Sequence, residues 1–149
     1  MHSAALPFEV LHISEYLASL ARQGRLRLKP LAKSLTFHDP CQVSRRGGAS
    51  EAPREVLAAL GVELHEMADH ADAAYCCGGG GGVVAIKRAD ALRRGAFRIK
   101  MEEIDATGAE LLATSCANCR LTFDDGAAFH KWDKSMQSLT ELVAERLEG

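Results

Sequence analysis

Tyr75-Cys76-Cys77-Gly78-Gly79-Gly80-Gly81-Gly82 constrains this chain more than any other stretch. Two adjacent thiols run into five glycines. Side chains of neighbouring residues in extended backbone point to opposite faces. The two sulfurs can therefore serve one centre only if the chain turns sharply there, or if the centre is large enough to meet both. Glycine allows that turn, because it accepts φ > 0 and leaves no side chain to hold the backbone away from a bulky ligand.

The remaining cysteines fit the same reading. Cys41 precedes the doublet, and Cys116 and Cys119 follow it in Ser115-Cys116-Ala117-Asn118-Cys119, so all five fall into C-x34-CC-x38-C-x2-C. Thiolates are soft ligands that select zinc, copper(I) or iron–sulfur clusters, and a C-x-x-C pair brings two sulfurs to one centre. The doublet favours a multinuclear cluster over a single zinc. The competing bland reading treats the five as small buried apolar residues.

Composition narrows the class. With 149 residues, 47% of them hydrophobic, the chain is long enough for one domain with a real core. Eighteen basic against twenty acidic residues argue against a nucleic-acid partner. Residues 1–12 lack a basic start followed by an apolar run, and no apolar stretch approaches the ~20 residues of a membrane span. An odd cysteine count in that context speaks against a disulfide framework. The expectation is a cytoplasmic protein, not itself membrane-spanning but able to sit at the edge of a membrane complex.

Along the chain, residues 1–10 read as a loose lead-in to one domain over 11–149. Ile13, Tyr16, Leu17 and Leu20 predict the apolar face of a helix at 12–22. Leu35-Thr36-Phe37 predicts a strand running into His38-Asp39-Pro40-Cys41. A helix at 52–60, capped by Ser50, would bury Val56, Leu57 and Leu60. Val62 to Met67 reads as a second strand. Residues 83–106 read as the longest helix, with Leu92, Ala96 and Ile99 inward and Lys87, Arg88, Arg93, Arg94, Arg98 and Lys100 largely outward. Ala109 to Thr114 reads as a third strand, ending like the first at a cysteine. A helix from Cys116 to about Ala128 would place its N-terminal dipole on the thiols. Ser138-Leu139-Thr140-Glu141 has the form of a capping box before a final helix with Leu139, Leu142, Val143 and Leu147 inward. This alternation implies an α/β fold: a mainly parallel sheet flanked by helices, with the cysteine loops gathered at one edge.

His38-Asp39-Pro40-Cys41, Cys76-Cys77-Gly78-Gly79-Gly80 and Cys116-Ala117-Asn118-Cys119 together resemble the cysteine-rich CCG domain. That domain is found in heterodisulfide reductase catalytic subunits and in iron–sulfur subunits of lactate, glycolate and glycerol-3-phosphate oxidising enzymes. The text around and after the last pair is most similar to heterodisulfide-reductase-like subunits of sulfur metabolism. The resemblance covers roughly 11–147. It implies a non-cubane [4Fe–4S] cluster held by Cys41, Cys76, Cys77, Cys116 and Cys119, and reduction of a small disulfide or a protein persulfide, or the reverse. Other copies of the domain hold zinc. The gap between doublet and final pair is slightly longer than is usual in the family, which is expected to lengthen the helix at 83–106.

The chain has one such motif and no ferredoxin-type C-x2-C-x2-C-x3-C-P run. It therefore calls for a ferredoxin-type iron–sulfur subunit or domain as electron partner, and it can be the C-terminal domain of a larger protein. Two alternatives stand beside the enzyme: a structural zinc module that binds partners, and an electron relay without a substrate, as in an iron–sulfur subunit of a lactate-, glycolate- or glycerol-3-phosphate-type oxidoreductase. His38 reads either as a donor that orients a sulfur or delivers a proton to a leaving thiolate, or as a cap on the turn with Asp39. Arg45 and Arg46 read either as binders of an anionic substrate or as a solvated loop. Asp39-Pro40 reads as a turn-former, His65, His70 and His130 as ordinary histidines, and Trp132 as core or interface.

Overall fold

In the computed structural model, which describes residues 7–148, strands and helices alternate. The order is α1 (Ile13–Arg22), β1 (Ser34–His38), α2 (Glu51–Ala59), β2 (Glu63–Leu64), α3 (Asp90–Ala106), β3 (Leu111–Thr114), α4 (Ala117–His130), β4 (Ser135–Ser138) and α5 (Leu139–Arg146). Single 3-10 turns occupy Ala71–Ala73, Val83–Ala85 and Lys87–Ala89. The four strands form one parallel sheet in the order β2-β1-β3-β4. The expected α/β class with a parallel sheet is what forms.

Strand alternation sends successive side chains to opposite faces. Leu35 and Phe37 of β1 and Leu111 and Ala113 of β3 point to one side, where Ala18, Val56, Leu57, Leu60, Leu142 and Val143 cover them. Leu112 points to the other, into Met67, Cys77, Phe97, Ile104, Cys119 and Phe123. The result is three layers, with α1, α2 and α5 on one face and α3 and α4 on the other. Two of the five thiols are part of the second core. No helix among the described residues is long and apolar enough to cross a membrane.

Several local expectations need correction. α3 begins at Asp90, not 83. Gly82 sits at φ +78 and Ile86 is extended, and the intervening Val83-Val84 pair is β-branched and resists helix entry, so the chain advances by two 3-10 turns instead. The buried stripe of α3 is Phe97, Lys100 and Ile104, while Leu92 and Ile99 are exposed. Phe97 sets that phase by packing among Phe123, His130 and Trp132. Lys100, expected outside, lies between Phe97 and Ile104 on this face. It is fully buried with its ammonium 2.6 Å from Glu103.

α1 is rotated too: Ser14 and Ala18 are buried, and Ile13 and Tyr16 are exposed. Its cap is a box between His12 and Glu15. Ser50 makes no side-chain cap to α2; its carbonyl accepts from Arg54 instead. β2 is only two residues long, because after the His65 amide bonds Leu35 the strand ends and Met67 turns into the second core. β4 is a strand that the sequence pattern did not reveal. Its register on β3 leads straight into α5, whose Ser138–Glu141 capping box forms as expected. Leu147, expected inward, is half exposed and bridges Leu28 at the chain's end.

Candidate metal centre

The strands deliver the thiols. Cys41 follows the carboxyl end of β1, and Cys116 follows that of its neighbour β3. Open parallel sheets place their sites at this end. Cys119 lies in the first turn of α4, one turn past Cys116, which is the N-cap residue. The doublet arrives on the loop after β2.

Cys41, Cys77, Cys116 and Cys119 line a single cavity of about 320 Å³, together with Pro40, Gln42, Gly79 to Gly82, Val84 and Asn118. Cys77 and Cys119 are buried, Cys41 and Cys116 half-buried. Cys76 is exposed and faces a second, apolar groove behind the glycine loop, beside Val83, Leu92 and Ala96. Its sulfur accepts the Gly78 amide at 3.3 Å. Of the five thiols, four share the cavity and the fifth stands on the outer side of the loop. All five are free thiols.

The glycine loop is clamped as well as bent. Gly78 has φ +88, and a Cβ there would meet the Arg93 carbonyl at 2.9 Å. Gly79 lies against α4, where a Cβ would fall 2.0 Å from Thr122 Oγ1. The Asn118 amide donates to the Gly79 carbonyl at 3.0 Å, and the Thr122 hydroxyl donates to the Asn118 carbonyl at 2.8 Å. Asn118 and Thr122 were not singled out in the sequence. The available signal was Asn118's place inside the C-x-x-C at a helix start.

Electrostatics favours thiolate at the centre. Cys77 and Cys119 sulfurs are 3.4 Å apart. The Cys119 thiol lowers the Cys77 pKa, with Cys76 and His38 adding to the effect. Cys116 is lowered to about 5 by the Cys119 thiol, helped by the Cys119 and Asn118 amides at the start of α4. Cys119 and Cys76 are raised, because they hold the protons shared with Cys116 and Cys77. A proton that leaves when metal arrives is the ordinary exchange at a thiolate site.

His38 is fully buried on the same sheet face as Thr36 and Leu112, edge-on to Phe123 at 4.9 Å. A ring nitrogen of His38 and the sulfurs of Cys77 and Cys119 lie within 4.8 Å of one another. Burial pushes its pKa down, keeping the ring neutral.

Asp39 is more than a turn-former. Its buried carboxylate accepts from Arg54 twice at 2.9 Å, from the Ala71 amide at 2.7 Å and from the Ser44 hydroxyl at 3.2 Å. Arg54 also pairs with Glu66. Arg45 donates to the carbonyls of Asp72 and Ala74, so its guanidinium braces the loop that leads to Cys76. Arg46 reaches only Gln42, on the cavity wall. The loops of Cys41 and of the doublet are thus stitched together from one side. His65 bonds Glu63 and the Thr107 carbonyl, His70 the Met67 carbonyl, and the Trp132 indole bonds Asp105. None of these reaches the cavity.

Fold and site together define a class: a parallel α/β domain that gathers thiols at the carboxyl end of its sheet. The family model for the cysteine-rich domain, CCG, matches residues 35–124, and the chain belongs to that family. It is 39% identical over 144 residues to a component of the dihydromethanophenazine:CoB–CoM heterodisulfide reductase of Methanosarcina barkeri, covering 95% of this chain and 35% of that protein. It is 33% identical over 152 residues to the EtfAB:quinone oxidoreductase of Syntrophomonas wolfei, covering 95% and 21%. It is 30% identical over 145 residues to the Hdr-like menaquinol oxidoreductase iron-sulfur subunit 2 of Archaeoglobus fulgidus, covering 92% and 26%. The chain spans about a third or less of the length of these relatives.

The residues fit a metal centre: the donors are soft thiols, and four of them line one cavity.

Proposed function

We propose that this chain is the thiol/disulfide redox domain of an iron–sulfur oxidoreductase of the heterodisulfide-reductase type. Cys41, Cys76, Cys77, Cys116 and Cys119 would hold a [4Fe–4S] centre of the non-cubane kind. The observation that carries this reading is the convergence of Cys41, Cys77, Cys116 and Cys119 on one open cavity, with Cys76 adjoining it across a bare glycine wall. When bound, such a centre supplies one-electron redox chemistry at sulfur-ligated iron.

The overall conversion is R–S–S–R′ + 2 e⁻ + 2 H⁺ → R–SH + R′–SH, or its reverse; the S–S bond is the one broken. The electrons come singly from a ferredoxin-type partner. The chain's residues supply the rest. Gly79 to Gly82 leave the cavity open on one side, so a disulfide or persulfide sulfur can approach the cysteines. The first turn of α4 stabilises negative charge on Cys116. Gln42 and the exposed Arg46 at the rim offer polar contacts to an anionic substrate, a task for which Arg45 is not free.

Anaerobic purification with metal and sulfide analysis tests the reading. A brown protein with about four iron and four labile sulfide per chain, whose EPR signal changes on adding a disulfide, is expected. A colourless protein with one stoichiometric zinc makes it a structural module, since zinc has no redox chemistry. Iron with an EPR signal indifferent to thiols and disulfides makes it an electron relay.

A further inference from the structure

We propose that the imidazole of His38 is itself a metal ligand, forming with Cys77 and Cys119 the buried inner corner of the centre. The assignment rests on the reading that the cysteine cavity holds metal, and adds a nitrogen to a ligand set otherwise made of sulfur.

Three observations converge. First, the three ligand atoms are close enough to share one ion. Metal–sulfur bonds near 2.3 Å and metal–nitrogen bonds near 2.0 Å put tetrahedral ligand atoms about 3.5–3.8 Å apart. Cys77 and Cys119 sulfurs are 3.4 Å apart, and the His38 nitrogen lies within 4.8 Å of both. Second, the ring is fully buried, the polar side chain the imidazole does approach is the Cys77 thiol, and its Nδ1 has no hydrogen-bond partner. Buried polar atoms are rarely left so, and each one that is calls for an explanation such as an ion. Third, the ring is held in place independently. β1 pairs with β3 through His38 and Thr114, the Thr114 hydroxyl donates to the His38 carbonyl, and Phe123 stands edge-on to the imidazole. A side chain fixed this way presents its nitrogen without further ordering.

The six side chains then divide by depth. His38, Cys77 and Cys119 are buried, Cys41 and Cys116 are half-buried at the cavity, and Cys76 is exposed. The inner three anchor the centre, Cys41 and Cys116 face the cavity's mouth, and Cys76 meets the centre from behind the glycine loop. A neutral imidazole adds no negative charge to the ligand shell, whereas a sixth thiolate at this position would lower the reduction potential of an iron–sulfur centre.

Selective ¹⁵N-histidine labelling with pulsed EPR of the anaerobically reduced protein decides the matter. A strongly coupled nitrogen that changes with the isotope, and is lost in His38→Gln, is expected. His38→Cys should retain metal and shift the potential downward. Only weak coupling, as from a hydrogen-bonded ring, or a spectrum indifferent to the label, overturns the assignment even if His38→Gln fails to fold. Should the protein carry zinc, the iron–sulfur reading fails on metal analysis alone. His38 is then read at the zinc absorption edge, where a mixed nitrogen and sulfur shell supports it and an all-sulfur shell overturns it.

Discussion

Replacing Arg54 by methionine should be among the most damaging changes in the molecule, although Arg54 touches no thiol. The Asp39 side chain is wholly buried, and Arg54 gives it two of its four hydrogen bonds. Each charge-assisted bond contributes about 1.5–3 kcal/mol, and stripping one partner from a buried pair costs about 3–5 kcal/mol. Glu66, the other partner, is 30% exposed and rehydrates, so it adds little. A loss of about 3–4 kcal/mol follows, or roughly 10 °C in Tm for a chain of this size. Urea unfolding of the metal-free protein measures it. The pH dependence gives a second check. Burial alone would raise the Asp39 pKa, but Arg54, the Ala71 amide and Ser44 more than offset it, so the folded value is lowered. A depressed carboxyl contributes stability above its unfolded pKa of about 3.9 and loses it as pH falls through the folded value. The gap between wild type and Arg54→Met should therefore be full at pH 7 and shrink below about pH 4. A variant within about 1 kcal/mol of wild type, or a gap independent of pH, would refute the reasoning.

Two neighbouring glycines make a paired prediction. Gly79→Ala drives a methyl against Thr122 Oγ1, Thr122 Cβ and Asn118 Nδ2, whereas Gly80→Ala meets nothing within 4 Å. The first should cost about 1–3 kcal/mol and reduce metal loading by parting the loop from α4; the second should leave metal-free stability unchanged by urea titration. Gly126→Ala places a methyl 2.5 Å from the Phe97 ring, so a loss of similar size is expected in thermal unfolding. An unchanged Tm would mean α3 and α4 pack less closely than described.

The sequence made the strands' ends and the thiols legible because both rest on local signals. Apolar runs stop at Cys41 and Cys116, and the C-x-x-C falls at a helix start. Helix phase was harder. α3 offers more than one apolar stripe, and only the aromatic cluster around Phe97, built from Phe123, His130 and Trp132 far along the chain, selects the one that buries Lys100. β4 was hidden because Ser135-Met136-Gln137-Ser138 lacks an apolar run and owes its strand form to pairing with β3. Asp39 was legible as a turn residue, but its tie to Arg54 spans fifteen positions, and nothing in either segment announces the other. Within the site, the separation of Cys76 from the other four depends on which way the glycine loop folds over α4, a matter of Asn118 and Thr122.

The sheet also acts as a partition. The layer of Val56, Leu57, Leu142 and Val143 shares no side chain with the thiol-bearing layer beyond it. An engineer could therefore harden the molecule from the first side, by filling or trimming its aliphatic packing, while the reactive compartment keeps its shape. Changes made in the second layer would alter folding and chemistry at once, since there the same residues serve both.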